Sequence, residues 1–309
     1  MRDLNLLPLD ELFAELTRDP AALACLDAAA REDLGVPPHD VTSEALIPAG
    51  ATGEATFVCR APGVIAGLAA LPMLASGPAP NSAIDARIRD GAAVEVGAAI
   101  ARIRGPLREI LAFERTALNL LCRLSGIATH TARFVRAATN AVPAKPPKVC
   151  DTRKTTPGLR ALEKYAVRCG GGWLHRMGLY DAMLIKDNHL RALGGASVFE
   201  QIIEPVRAAR RRLALRFVEL EVDTLEQLDS ALTIAPGLID IILLDNMPPD
   251  ALREAVSRRD ARAPGVLLEA SGGVTLDTIG AIAVTGVDRI SVGALTHSAP
   301  ALDLALDLD

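Results

Sequence analysis

The sequence predicts an α/β protein in two parts, a region of helices and antiparallel strands followed by an α/β barrel. Two observations carry this expectation. Between 50 and 105 the chain runs in short alternating segments punctuated by glycine, the pattern of an antiparallel sheet. After Lys148 it changes to short strands that are apolar on both faces, end in polar residues and alternate with helical stretches, as parallel strands covered by helices do.

Taken in order, residues 7–35 place apolar side chains at helical spacing in DELFAELTRD and ALACLDAAARED, and Pro37 and Pro38 stop that pattern. ATFVCRA, SAIDARIRD, AAVEVG and AIARIRG are the strands of the sheet. A long helix is expected from Leu107 through ILAFERTALNLLCRLSGIATHTARFVRAATN, with NAVPAKPP as the linker behind it. The barrel strands are KVCDTRK, DAMLIKDN, FVELEVD, IDIILLDN, VLLEASGG and DRISVGA, with WLHRMG as a further candidate. Active groups of such a barrel sit where its strands end, and each polar cluster in these segments lies there.

Composition narrows the function. At 309 residues and 50% apolar the chain can bury a large core, but aromatics make up only 3% and the formal charge is −5, so a nucleic-acid surface is not expected. Five cysteines lie apart from one another without a C-x-x-C pair, which suits a reducing cytoplasm better than disulfides or zinc. The first twenty residues carry acids through their apolar stretch and do not read as a signal peptide, and no run is long enough to span a membrane.

Charge is partitioned along the barrel. From Lys148 to Arg191 basic residues dominate (Lys148, Arg153, Lys154, Arg160, Lys164, Arg168, Arg176, Lys186, Arg191), whereas Phe217 to Asp250 holds acids and neither Lys nor Arg. Such a barrel can bind a polyanion together with its divalent counter-ion. In DTRKTTPGLR, Thr156 and Pro157 read as a helix cap and first helical residue, and GGG at 170–172 ends that helix, which leaves Arg153 and Lys154 in the loop after a strand. An arginine there offers a fork for a carboxylate and a lysine a point charge for a phosphate. HRMGLYDAMLIKDNH adds His175, Arg176 and Lys186. Alternation along FVELEVD puts Glu219 and Glu221 on one face, so either could join Asp245 as the acid pole. The glycine-rich turns after the last two strands, SGG at 271–273 and SVGA around Gly293, suit a phosphate.

Together FERTALNLLCRLSGIATHT, CDTRKTTPGLRALEKYAVRCGGGWLHRMGLYDAMLIKDNH, VELEVDTLEQLD, IILLDNM, LEASGG and ISVGALTHSAPALDLALDL resemble the quinolinate phosphoribosyltransferase family, from about EDLG at 32–35 to the C-terminus. The resemblance implies a type II phosphoribosyltransferase-like fold, with an N-terminal α/β sandwich domain over 1–129, joined by the segment 296–309, and an incomplete α/β barrel over 130–295. It implies transfer of a phosphoribosyl group to quinolinate with loss of carbon dioxide. Arg153, His175, Arg176 and Lys186, with Thr152, would hold quinolinate, and Arg115 would join them from the neighbouring chain of a homodimer or larger homo-oligomer. Lys154, Glu221 and Asp245 would be the catalytic groups for phosphoribosyl pyrophosphate, with Glu221 and Asp245 serving Mg²⁺ directly or through water, while Ser271, Gly272, Gly273 and Gly293 would take the 5′-phosphate. No organic cofactor is implied, nor any membrane or nucleic-acid partner. The first twenty residues have no counterpart in the resemblance. His39 before Asp40 departs from the glycine usual in the family.

Competing readings are a Schiff-base barrel lyase using Lys154 or Lys186, a molybdenum-transport-associated relative acting on another base, and a biotinyl or lipoyl carrier suggested by DGAAVEVGAAIARI. The complete DTRKTTPG and HRMG stretches favour quinolinate over the relative's other base. The carrier needs a lysine for its prosthetic group, and none precedes Lys145.

Overall fold

A computed structural model describes residues 2–194, 198–234 and 236–309. The chain divides into two compact units.

The first unit comprises residues 6–132, 155–171 and 295–309. Helices α1 (Leu9–Leu16) and α2 (Ala24–Leu34) fall where the periodicity put them. A third, α3 (Val41–Leu46), was not expected. Its signal is Asp40, whose carboxylate accepts the N–H groups of Thr42 and Ser43 as an N-cap. The strands follow: β1 (Thr52–Cys59), β2 (Gly63–Val64), β3 (Ala83–Ala86), β4 (Ala93–Val94) and β5 (Ala99–Pro106), with a short helix α4 (Leu71–Ala75) after β2. Strands β3, β5 and β1 pair antiparallel, and the C-terminal strand Leu304–Leu308 completes the sheet beside β1. The 35-residue helix α5 (Leu107–Ala141) follows β5. Phe57, Ile100, Ile103 and Phe113 are fully buried, each contributing roughly 1.5–3 kcal/mol. Gly126 on α5 lets the C-terminal segment cross: a Cβ there would stand 2.1 Å from the Pro300 carbonyl oxygen.

Helix α6 (Arg160–Cys169) also belongs to this unit, although the expected boundary placed it in the barrel. Its contacts explain the difference. The Tyr165 ring meets Phe13 of α1 edge-on at 5.1 Å, and its hydroxyl donates to Asp90 at 2.9 Å. Buried Glu163 accepts from Arg123 of α5 at 2.7 Å and from the Thr156 hydroxyl at 2.8 Å. That last contact also corrects the cap. Thr156 bonds a side chain seven residues on, the stretch 157–159 is a turn, and the helix begins only at Arg160.

The second unit comprises residues 2–5, 133–154 and 172–294. Its sheet holds β6 (Lys148–Cys150), β7 (Met183–Ile185), β8 (Val218–Val222), β9 (Ile241–Asp245), β10 (Leu267–Ser271) and β11 (Arg289–Ser291), all parallel, in the order β6-β11-β10-β9-β8-β7. Six of the seven candidate strands form. WLHRMG does not; it gives one bridge, Trp173 to Cys150, with the Trp173 N–H on the Val149 carbonyl at 2.8 Å. No strand joins β6 to β7 among the described residues, so the barrel is incomplete.

The N-terminal residues, for which sequence reading predicts no role, settle here. Buried Asn5 donates its amide to the Leu174 carbonyl at 3.1 Å and accepts the Leu174 N–H at 2.6 Å, supplying the pairing that a neighbouring strand would have offered.

Candidate active site

Every residue of the two poles except Arg115 lies in the second unit; Arg153, Lys154, Lys186, Glu221 and Asp245 follow a parallel strand or sit in its last residues, whereas His175 and Arg176 lie between β6 and β7, just after the Trp173 bridge. Beyond β6 come Thr152, Arg153 and Lys154, with the Thr152 hydroxyl accepting the Lys154 N–H at 3.0 Å. Arg153 is half-buried and its Nε is enclosed without a hydrogen-bond acceptor. Arg176 is buried, and among the described residues its guanidinium donates to the Ala182 carbonyl at 3.4 Å. Burial and the Arg153 charge both press the Arg176 pKa down. Two guanidinium groups held close together, one with an orphaned nitrogen, form a site that an anion would complete.

Lys186, exposed beyond β7, stands 3.4 Å from Glu221 near the end of β8. The Glu221 pKa is raised by burial first and by Asp245 as well, against the opposing pull of Lys186. Asp245 ends β9 and accepts the Asn246 side-chain amide at 2.7 Å. A cleft of about 320 Å³ opens beside Glu221, lined also by Asp187, Arg191, Asp223 and Gln227. The Glu221–Asp245 pair fits a hard divalent cation, since both offer oxygen and their mutual repulsion is what such an ion would relieve.

Ser271 ends β10 in register with Asp245, and Gly272 and Gly273 follow with φ of +100° and +57°. The Asn246 N–H donates to the Ser271 carbonyl at 2.9 Å, tying the two loops together. Gly293 follows β11.

His175 departs from the rest. It is 5% exposed, and its Nδ1 accepts the Arg176 N–H at 2.8 Å while its Nε2 faces Glu219 at 2.9 Å and Glu269 at 3.4 Å. Glu269 and Arg289 were not foreseen as part of any site. Their signal is visible in the sequence: an acid and an arginine inside otherwise apolar strands, brought opposite each other by the β10–β11 register. Arg115 belongs to the first unit, where it is exposed, and among the described residues it makes no ion pair with Glu109 or Glu114. Glu109 is occupied by Asn81 and Ser82.

An antiparallel sheet unit with a parallel incomplete barrel, cations after the early strands and acids at the middle ones, defines a barrel enzyme for polyanionic substrates. Comparison with known proteins makes the class specific. The chain matches the models for the N-terminal domain of quinolinate phosphoribosyl transferase over residues 40–125 and for its C-terminal domain over 127–307. It is 46% identical over 271 residues to the nicotinate-nucleotide pyrophosphorylase [carboxylating] of Mycobacterium leprae, covering 87% of this chain and 91% of the relative. With the Bacillus subtilis protein described as a probable enzyme of the same name it shares 42% identity, covering 90% of each. The solved structure of the nicotinate-nucleotide pyrophosphorylase from Francisella tularensis superposes with a TM-score of 0.82 at 33% identity, covering all of both chains. The chain belongs to the quinolinate phosphoribosyltransferase family.

Proposed function

We propose that the strand-end cations and acids of the barrel carry out the reaction of this family. The protein transfers a phosphoribosyl group from phosphoribosyl pyrophosphate to quinolinate and releases pyrophosphate and carbon dioxide, giving nicotinate mononucleotide for NAD biosynthesis. The observation that best supports this use of the site is the buried Arg176 beside Arg153 with its orphaned Nε, which suits a dicarboxylate.

In this reading Arg153, His175, Arg176 and Lys186 hold quinolinate, with Thr152 alongside and Arg115 entering from a partner subunit. Lys154 balances negative charge on the departing pyrophosphate as ribose C1 gains oxocarbenium character. Glu221 and Asp245 would hold Mg²⁺, which when bound neutralises phosphate charge. Ser271, Gly272, Gly273 and Gly293 take the 5′-phosphate on backbone N–H groups. Positioning carries much of the rate, because a pyridine nitrogen flanked by a carboxylate is a weak nucleophile. Once ribosylated, the ring nitrogen is cationic and stabilises the electron pair left on the adjacent ring carbon when the 2-carboxylate departs as carbon dioxide, and a proton from solvent then takes up that pair. Five free cysteines suit a cytoplasmic setting, and no helix among the described residues is long and apolar enough to cross a membrane.

The test is release of carbon dioxide from carboxyl-labelled quinolinate. It is expected only when phosphoribosyl pyrophosphate and Mg²⁺ are both present. Release without the co-substrate, or none with it, would overturn the assignment.

A further inference from the structure

Asn246, which closes the IILLDN segment, has no part in the reaction as described, yet it sits between two groups that do. Its φ is +54°, and among the described residues no other residue with a side chain lies in the left-handed region. Asparagine enters that region more readily than most residues. The conformation is still strained, and it persists where neighbouring contacts hold it.

Those contacts reach both sides of the strand-end cleft. Asp245, which ends β9, is in register with Ser271, which ends β10, and one residue further the Asn246 N–H donates to the Ser271 carbonyl at 2.9 Å. That bond fixes the backbone. The side-chain Nδ2 donates to Asp245 Oδ2 at 2.7 Å. The side-chain oxygen occupies the space that a Cβ on Gly272 would need, so the amide rests against the Gly272 backbone. Gly272 itself has φ +100°. One side chain thus touches the acid at the end of β9 and the glycine turn at the end of β10, the places assigned to different parts of phosphoribosyl pyrophosphate.

We propose that Asn246 is a positioning residue that sets the spacing between the Asp245 carboxylate and the Ser271–Gly273 turn. Its amide orients the carboxylate, and its backbone bond keeps the turn in register with it. Phosphoribosyl pyrophosphate then meets both groups already ordered, which removes a cost from binding. Asn246 acts through these neighbours rather than by contact with substrate. The inference rests on Asp245 and the turn being the phosphoribosyl pyrophosphate site.

The experiment titrates phosphoribosyl pyrophosphate and Mg²⁺ into enzyme saturated with phthalate, which keeps both carboxylates of quinolinate but lacks the attacking nitrogen, so that binding is read without turnover. Asn246→Gly keeps the backbone conformation and removes the amide. Asn246→Asp keeps the shape and tolerates the left-handed region, but it replaces the donor by a second negative charge beside Asp245. Each is expected to weaken phosphoribosyl pyrophosphate binding roughly tenfold, as for loss of a hydrogen bond to a charged group, with Asn246→Asp no better than Asn246→Gly. Phthalate affinity and the KM for quinolinate should stay near wild type. Combining Asn246→Gly with Gly272→Ala should cost less than the product of the two single losses, because Gly272→Ala alone already displaces the amide. Unchanged phosphoribosyl pyrophosphate affinity in either Asn246 variant would overturn the inference. So would equal weakening of phthalate and phosphoribosyl pyrophosphate, which marks general damage, or a double variant whose losses simply multiply. Failure of the underlying reading looks different: Asp245→Asn and Gly272→Ala would then also leave phosphoribosyl pyrophosphate affinity unchanged.

Discussion

Arg153 combines a half-buried position with an Nε that meets no acceptor, so its replacement removes a group whose only evident partner is a bound anion. Arg153→Ala is expected to weaken quinolinate binding by roughly 1.5–3 kcal/mol or more, read by calorimetric titration of the folded variant. Near-wild-type affinity would remove Arg153 from the site. Asp245→Asn should instead leave quinolinate affinity largely intact and shift the dependence of the rate on Mg²⁺ and phosphoribosyl pyrophosphate. Unaltered steady-state dependence on both would make Asp245 structural. These side chains were legible because each is a charged residue following an apolar strand, a place where neither packing nor solvation alone accounts for it. His175 was not legible in the same way. Sequence shows a histidine beside an arginine, but only the fold shows its ring set between the Arg176 N–H and the buried Glu219.

Among the elements, β10 and β11 carry the least expected chemistry. Burial tends to raise the Glu269 pKa, but His175 and Arg289 prevail and hold it down at about 2. Because its folded pKa lies below the unfolded value, the stability it supplies is complete above the ordinary 4.5 and is lost as pH falls toward 2. Glu269→Gln, which leaves Arg289 buried without its charge partner, should cost about 3–5 kcal/mol at neutral pH. In urea melts at a series of pH values, the gap from wild type should close across that acid window. A gap unchanged at low pH would refute an ionic contribution. The turn after β10 gives a second expectation. Gly272 sits at φ +100°, and a Cβ there would meet the Asn246 side-chain oxygen at 2.1 Å and its backbone nitrogen at 2.9 Å. The side chain can turn away but the backbone cannot, so Gly272→Ala should cost about 1–3 kcal/mol and raise the KM for phosphoribosyl pyrophosphate. An unchanged KM would place the phosphate elsewhere. The six strands were readable from apolar runs closed by polar residues. WLHRMG looked similar, but after Trp173 its hydrogen bonds go to side chains: the His175 N–H to Asp151, and the Met177 and Gly178 N–H groups to Asp181. Local pattern does not reveal that competition.

At the scale of the molecule, the order of elements was legible but their membership was not. Residues 155–171 and 2–5 each belong to the unit that sequence proximity would not choose, because Tyr165, Glu163 and Asn5 find their partners far along the chain. Arg115 poses the same question between chains. It is exposed on α5 and makes no ion pair with the acids nearest it on that helix, so the local pairing that would have explained it is absent among the described residues. If Arg153, Arg176 and Lys186 hold a dicarboxylate as proposed, a further cation would balance its charge more fully, and two-fold dimers are the commonest closed assembly that could deliver one. The working unit is therefore expected to be at least a homodimer whose sites each borrow Arg115 from the partner. Mixing Arg115→Ala with Lys186→Ala, each inactive alone, tests this directly. After subunit exchange, one site of each heterodimer lacks both side chains and the other has both, so activity should return to at most about half of wild type per heterodimer. Heterodimers proven by mass that stay inactive would contradict the shared site, and a fully active monomer would exclude it.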